Sequence, residues 1–319
     1  MQLIVDPIVW VWRGLFARVV AIVGAVVSVA MRLDPRWWPW RYGIRVHRGL
    51  VYATHDGKPV RLDVYCPKNT ETAKPVVLYM HGGGFGLFSR TSHWLVGVRF
   101  AAAGFVVCNI DYRLAPKNPY PAAHEDACDA YMWVLNHVSK YGGDPSRVMV
   151  AGESAGANLA MAVLLASSFR GEEAWSQRVF DAKYQPCMGV SMSGLLQVSD
   201  PHRFFRLGIA AWARSRICAV SQNYLQGRRP ALARWADPLL ILESDAMPDR
   251  PLPPMFVGSG ACDPIRDDTL RLEGILRVRG VNHRTVFYPG EGHIFFMLPW
   301  REQSRRCWTD LLSYVQPNL

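Results

Sequence analysis

One stretch, from Val148 to Leu159, constrains the fold of this chain more than any other. An apolar run rich in β-branched residues leads into Gly-Glu-Ser-Ala-Gly at residues 152–156, and a helix-like run follows at once. The order is strand, sharp turn and helix, with Ser154 at the apex. Glycine on both sides leaves room where such a turn crowds the backbone. The pattern predicts a nucleophile elbow, in which the Ser154 hydroxyl stands clear of a sheet at a helix N-terminus.

A serine hydroxyl becomes a strong nucleophile only when a histidine removes its proton, and the histidine needs a carboxylate to orient it. Both groups are expected in loops after later strands, in the order serine, acid, histidine. His202 lies in an irregular segment and His283 precedes the last predicted strand. His293 follows that strand, in a glycine-rich loop before an aromatic run. We therefore predict His293 as the base.

The acid is sought in the loop after a strand predicted over Met255–Gly258, where Asp263 is the first carboxylate. We predict Asp263 as the partner of the histidine, although an aspartate before proline at a helix start is also a common cap. Asp267 is the fallback and is the better candidate for a helix cap. Asp237 and Asp245 lie in the irregular segment and are poorer choices.

A second glycine-rich loop follows a buried strand predicted over Val76–Met80. It begins with His81 and continues through Gly82, Gly83 and Gly84. Consecutive glycines are conformationally costly, so they indicate a backbone that another group must approach closely. A phosphate-binding loop would need Gly-Lys-Ser/Thr, and no lysine follows here. Free backbone N–H groups that stabilise a developing oxyanion fit the pattern better.

Strands and helices alternate along most of the chain, which predicts an α/β fold with a mostly parallel sheet and helices on both faces. An Asp-Gly turn at residues 56–57 predicts a hairpin at a sheet edge. Its two strands are predicted at Val46–Thr54 and Val60–Cys66. Other predicted elements are strands at Phe105–Ile110, Cys187–Ser193 and Arg284–Tyr288, and a helix from Tyr120 to about Tyr141.

Residues 195–250 break this alternation and are rich in arginine and aromatic residues. Two segments, Phe204–Ile209 and Ala211–Ala213, resemble short amphipathic helices. Because an insertion between core strands lies where active-site loops gather, we predict a helical lid or cap. An ordinary peripheral helical excursion is the alternative.

Three interpretations apply to the apolar residues 1–31, which precede a catalytic domain predicted over residues 32–319. Their uncharged run, Val19–Met31, is shorter than the roughly 20 residues that a membrane span needs. A helix anchored at a membrane surface would make the protein membrane-associated, at the cytoplasmic face. A cleaved signal peptide is the second interpretation. The third is an N-terminal helix packed over the domain as a cap element, in a soluble cytoplasmic protein.

The net charge of +10 is concentrated in arginines near residues 13–48 and 203–234. No zinc finger, RNA-binding strand or base-reading helix accompanies this charge, so we expect no nucleic-acid partner. Attraction to anionic lipid headgroups explains the charge better. Seven cysteines, an odd number without a C-x-x-C motif, predict reduced thiols and neither a metal site nor a disulfide framework.

Taken together, the motifs resemble the hormone-sensitive-lipase-like branch of the α/β-hydrolases, which includes bacterial carboxylesterases and the arylacetamide deacetylase type. The matching blocks are His81–Phe85, Asp111–Pro116, Tyr120–Ala123, Gly152–Gly156, Asp263–Asp267 and Gly292–His293. They follow the family's order and cover about residues 76–297.

The resemblance implies an eight-stranded sheet with a helical cap and a catalytic triad of Ser154, Asp263 and His293. It also implies an oxyanion hole formed by backbone amides, those of Gly83, Gly84 and Ala155. In this arrangement His81, followed by Gly82, shapes the glycine loop and does not act as a base. No metal and no cofactor are implied.

The expected activity is hydrolysis of small-molecule or lipid-derived carboxylic esters with short to medium acyl chains. Amide deacetylation by the same triad is the chemical alternative, and a non-catalytic ligand-binding receptor is the alternative of another class. Two positions depart from the family pattern: Glu153 stands where aspartate is common, and Ala157 where glycine is usual. We expect neither departure to touch the chemistry directly. The sequence does not indicate an oligomeric state.

Overall fold

The computed structural model describes residues 19, 22, 24, 26–68 and 71–319, with the backbone alone at residues 206 and 207. In this part of the chain an eight-stranded sheet has the order β1-β2-β4-β3-β5-β6-β7-β8. The strands are β1 Ile44–His55, β2 Lys58–Pro67, β3 Lys74–Met80, β4 Val106–Ile110, β5 Gly143–Glu153, β6 Met188–Met192, β7 Met255–Gly260 and β8 His283–Tyr288. Strands β1 and β2 form the predicted antiparallel edge hairpin, β2 joins β4 antiparallel, and every other neighbouring pair is parallel.

Helices cover both faces of the sheet, as the alternation predicts. They are α1 Trp94–Ala102, α2 Ala122–His137, α3 Ala155–Ser168, α4 Ala174–Phe180, α5 Ala211–Leu225, α6 Pro238–Glu243, α7 Arg266–Val278 and α8 Glu302–Val315. The predicted helix from Tyr120 to about Tyr141 is α2 continued by a 3-10 helix over Val138–Tyr141, which Gly142 ends in a left-handed conformation.

Strand β3 shows how the sheet divides the core in two. Val76, Leu78 and Met80 join the hydrophobic cluster that contains α2 and α3. Val77 and Tyr79 point the other way and join the cluster that contains α1 and α8. Because alternate side chains of a strand face opposite sides, a strand covered on both sides is apolar throughout. This burial on both faces explains the short apolar runs of the sequence.

The insertion at residues 195–250 is helical, but its helices differ from the prediction. Residues 201–207 form a 3-10 helix, and the predicted short helix at 211–213 is only the start of the 15-residue helix α5. Ala213, Ile217, Val220 and Tyr224 are all buried on one side of α5. Their spacing of three and four residues matches the helical period. Burial of this apolar face stabilises the helix well beyond residue 213.

The end of the apolar N-terminal segment lies against the rest of the fold. Residues 26–33 are helical, and Met31 is buried in the cluster that contains α1. The Trp94 indole N–H donates to Ser28 Oγ at 3.2 Å. Residues 1–18 lie outside the described residues, and with them most of the predicted anchor. Among the residues that are described, no helix combines the length and the apolar character needed to cross a membrane.

Candidate active site

Ser154 occupies the tight turn between β5 and α3, as the sequence predicts. Its φ of 54° lies in the left-handed region, which residues other than glycine adopt at some cost. A Cβ atom at Gly152 would collide with the Gly156 carbonyl, and one at Gly156 would collide with the Met80 carbonyl. The flanking glycines are therefore required because the turn presses α3 against the ends of β3 and β5.

The structure brings His293 and Asp263 to this serine from the carboxyl ends of two neighbouring strands. His293 Nε2 lies 3.0 Å from Ser154 Oγ, and His293 Nδ1 lies 2.8 Å from Asp263 Oδ2. The second carboxylate oxygen of Asp263 accepts the Ile265 amide at 2.9 Å. The fallback acid Asp267 lies instead in the first turn of α7. The three side chains form one hydrogen-bonded chain from carboxylate to hydroxyl.

Charge and burial act against each other in the histidine–aspartate pair. Burial disfavours the imidazolium, but the Asp263 carboxylate and its hydrogen bond outweigh this effect and raise the pKa of His293. Burial likewise disfavours the carboxylate, but the charge and the hydrogen bond of His293 lower the pKa of Asp263. A histidine held in this way accepts a proton at Nε2 while its Nδ1–H stays directed at the carboxylate.

The glycine loop supplies unused backbone donors next to Ser154. Gly83 and Gly84 adopt φ values of 114° and 62°. Within the described part of the chain, neither amide N–H donates a hydrogen bond. Ala155 is the first residue of α3, a position where the amide has no acceptor within its own helix. The three amides named from the family resemblance therefore remain available to an oxyanion.

Glu153 has a larger part in the site than we expected from the sequence. Its side chain is 1% exposed. One carboxylate oxygen accepts the Gly82 amide and faces His93 Nε2 at 2.8 Å, and the other accepts the Tyr79 hydroxyl. Glu153 thus ties the start of the glycine loop to strand β3 and helix α1. We expected that this departure does not touch the chemistry directly, and the contacts of Glu153 are indirect: its carboxylate holds the loop that presents the free amides.

His81 lies under the same loop and makes no hydrogen bond to Ser154. It is fully buried, its ring stacks on Tyr112 at 4.3 Å, and its Nδ1 lies 2.7 Å from the Gly82 carbonyl oxygen. Burial lowers the pKa of His81 to about 3, so the ring is neutral at ordinary pH. These contacts suit a residue that shapes the loop.

A cavity of about 350 Å³ opens above Ser154 and His293. Most of its walls are apolar, and helix α5 of the insertion forms one side of it with Ala213, Ile217 and Val220. Further apolar residues in the lining are Leu87, Phe88, Leu195 and Ile265. Arg216 of α5 is the cationic side chain in this lining. The sequence pattern of residues 195–250 pointed to this insertion, but not to the individual residues that face the cavity.

The fold and the site geometry together define a protein of the α/β-hydrolase class. A family profile described as alpha/beta hydrolase fold matches residues 77–297. The chain belongs to this family of α/β-hydrolase-fold enzymes, and its resemblance to the hormone-sensitive-lipase-like branch is confirmed. The edge hairpin β1–β2 precedes the matched region and completes the eight-stranded sheet.

Individual relatives support the same assignment. The chain is 33% identical to the esterase LipI of Mycobacterium tuberculosis over 219 residues, which are 68% of this chain and 63% of that protein. The chain thus spans less than two thirds of that relative's length. A Pyrobaculum calidifontis esterase shares 28% identity and a TM-score of 0.76, covering 99% of this chain and 94% of that one. An esterase of the bacterial hormone-sensitive lipase family shares 26% identity and a TM-score of 0.69, covering 86% and 85%.

Proposed function

We propose that this protein is a serine carboxylic-ester hydrolase. The observation that carries the proposal is the hydrogen-bonded chain from Asp263 through His293 to Ser154, which ends beside the free amides of Gly83 and Gly84. Ester hydrolysis by an acyl-enzyme needs a nucleophile, a base and oxyanion donors at one place. The esterase names of the relatives agree with this chemistry.

The proposed reaction proceeds in two halves. Ser154 Oγ attacks the ester carbonyl carbon while His293 Nε2 takes the hydroxyl proton, and the amides of Gly83, Gly84 and Ala155 stabilise the oxyanion. The tetrahedral intermediate collapses, the C–O bond to the alcohol breaks, and His293 returns the proton to the leaving alcohol. Water then attacks the acyl-enzyme with His293 again as base, and the free acid and the Ser154 hydroxyl are released. Asp263 orients and stabilises the imidazolium throughout.

We propose further that helix α5 serves as a cap over the acyl or alcohol group. The walls that α5 and the glycine loop contribute are largely apolar, and a cavity of about 350 Å³ suits a small ester or a short to medium acyl chain. The relatives' names support esters as the substrate class.

The test is hydrolysis of p-nitrophenyl esters from acetate to palmitate by the wild type, Ser154→Ala and the control Ser139→Ala, whose residue is exposed. The proposal expects turnover that falls off with chain length, is lost in Ser154→Ala and is unchanged in Ser139→Ala. Turnover that survives in Ser154→Ala would contradict it. A folded wild type that hydrolyses acetanilide substrates and no ester would favour the amidase alternative, and one that turns over neither would favour the receptor.

We also propose that the N-terminal segment contacts a membrane surface. Val26, Val29 and Leu33 are 62%, 56% and 74% exposed, although the other side of their helix packs on the domain. An exposed apolar face near many arginines suits an anionic lipid surface. Flotation with phosphatidylglycerol vesicles should show binding that weakens in Val26→Glu/Leu33→Glu while ester turnover persists. Equal binding by this variant, or no binding by the wild type, would overturn this second proposal.

A further inference from the structure

Among the residues that the structure describes, Arg216 is a cation without a counter-ion in a largely apolar active-site cavity. It lies on α5, one helical turn before Val220, and lines the cavity together with Ser154 and His293. Its guanidinium makes one hydrogen bond, from Nη2 to the Gly83 carbonyl oxygen at 3.3 Å. Within the described part of the chain, no carboxylate lies within ion-pair distance of it.

Some other arginines at partly buried positions are paired with carboxylates, whereas Arg99, which also meets no carboxylate among the described residues, lies over the rings of Trp37 and Trp308. Arg203 meets the fully buried Asp268 at 2.7 Å, and Arg113 meets the fully buried Asp126 at 2.9 Å. Burying an ionised side chain is unfavourable unless a partner compensates it. Burial lowers the pKa of Arg216, and none of the described residues opposes this effect with a charge. A guanidinium has five N–H donors in a planar fork, so most of the donors of Arg216 are unused.

Of the described residues that line the cavity, Glu153 is the acidic one, and it does not pair with Arg216. Glu153 is occupied by Tyr79, Gly82 and His93 in the floor of the site. Its contacts hold the start of the glycine loop, whereas Arg216 approaches the loop from α5. The place for an anion beside Arg216 is therefore open to a ligand.

The position of Arg216 also fixes how far this anion lies from the reacting carbonyl. In a trans peptide group the C=O and the following N–H point in opposite directions. Arg216 binds the Gly83 carbonyl oxygen, while the Gly84 N–H of the same peptide group is a proposed oxyanion donor. The guanidinium and the oxyanion therefore lie on opposite sides of one peptide unit, a separation that a chain of a few carbon atoms can span.

We propose that Arg216 selects esters that carry a carboxylate a few carbon atoms from the scissile carbonyl, such as half-esters of dicarboxylic acids. This inference rests on the proposed ester hydrolysis at Ser154 and names its substrate class. The planar fork of arginine matches a carboxylate with two parallel hydrogen bonds. The apolar walls of the cavity then contact the carbon chain between the carboxylate and the scissile ester of the substrate.

The experiment compares mono-p-nitrophenyl glutarate with p-nitrophenyl hexanoate, which has a chain of similar length and no charge. The measured quantity is the ratio of their kcat/KM values in the wild type, Arg216→Met and the control Arg214→Met. Arg214 lies on the same helix over the Phe205 ring, at 5.5 Å, and is not in the cavity lining. We expect Arg216→Met to lower the ratio at least tenfold and Arg214→Met to leave it within about twofold. An unchanged ratio in Arg216→Met, including an equal loss on both substrates, overturns the proposal.

A binding measurement separates this proposal from the proposed reaction. Ser154→Ala and Ser154→Ala/Arg216→Met are titrated with monomethyl glutarate by calorimetry. The proposal expects binding to the first variant that weakens at least tenfold in the second, whether or not the wild type hydrolyses esters. Equal binding, or no binding to either variant, contradicts the role of Arg216. Failure of the reaction itself appears instead as absence of Ser154-dependent turnover on both p-nitrophenyl esters.

Discussion

His93 Nε2 and Glu153 Oε1 lie 2.8 Å apart beneath the glycine loop, and the same carboxylate accepts the Gly82 amide and the Tyr79 hydroxyl. The carboxylate therefore links helix α1, strand β3 and the loop to the residue that immediately precedes Ser154. All of these groups are buried, so the hydrogen bonds that they make to one another cannot be replaced readily by water.

Removing this carboxylate should damage both stability and turnover. Glu153→Ala leaves the Gly82 amide, the Tyr79 hydroxyl and His93 without their acceptor, and we expect a loss of about 3 kcal/mol or more in the free energy of unfolding. The loop amides also lose their support, so kcat should fall. Tyr79→Phe removes one donor and keeps the Gly82 bond, so it should lower stability by only about 1 kcal/mol. Urea denaturation with kcat measurement checks both variants, and equal effects would contradict the linking role of Glu153.

Gly84→Ala should reduce turnover by disturbing the proposed oxyanion donors. A Cβ at Gly84 would lie 2.6 Å from Val220 Cγ2, and the φ of 62° disfavours a side chain. The loop has to shift, and we expect kcat to fall by on the order of 10²-fold, the loss typical of one oxyanion donor. Gly104→Ala is the matched control, because Gly104 also has a positive φ but open space around its Cα. A kcat of Gly84→Ala equal to that of the control would speak against the loop amides as donors.

The pH dependence of kcat/KM should report the charge state of His293. The base must be neutral, and Asp263 raises its pKa above the ordinary value of about 6.5, so activity should fall as the pH drops through a value above about 6.5. Asp263→Asn removes the charge that favours the imidazolium. We expect its acidic limb to move to lower pH and its kcat to drop by up to about 10⁴-fold. Identical acidic limbs in the two proteins would mean that another group controls the profile.

The inner face of α5 should limit acyl-chain length. Ile217 is buried in the cavity wall, so Ile217→Trp fills space that a longer chain would occupy. We expect kcat/KM for p-nitrophenyl hexanoate to fall about tenfold or more relative to that for the acetate. Leu232→Trp, at a position in the same insertion that is 69% exposed, should leave the profile unchanged. An unchanged chain-length profile in Ile217→Trp would exclude α5 from the acyl-binding wall.

Features encoded within one short segment were predictable from the sequence. The elbow at Ser154, the loop of Gly82–Gly84 and the edge hairpin each follow from adjacent residues with defined conformational preferences. The partners His293 and Asp263 were found because the carboxyl ends of parallel strands share one edge of a sheet, so loops far apart in the chain converge there.

Features that depend on side chains meeting across elements were not predictable. The contact between Tyr79 and Glu153 joins neighbouring strands 74 residues apart, and it depends on the register in which Met80 lies beside Gly152. The placement of Arg216 toward the cavity depends on how α5 is rotated over the glycine loop. That rotation is set by the buried side of α5, which Ala213, Ile217, Val220 and Tyr224 form. The predicted helix ended at residue 213, so this repeating pattern was not recognised in the sequence.

The most direct test of the central claim is covalent labelling of the nucleophile. The wild type and Ser154→Ala are treated with diethyl p-nitrophenyl phosphate, whose phosphorus is attacked by an activated serine with release of p-nitrophenol, and the intact mass and the modified peptide are measured. We expect one diethylphosphoryl group per chain, located on Ser154 and absent from Ser154→Ala. A wild type that stays unlabelled, or a label that persists in Ser154→Ala, would contradict the assignment of Ser154 as the activated nucleophile.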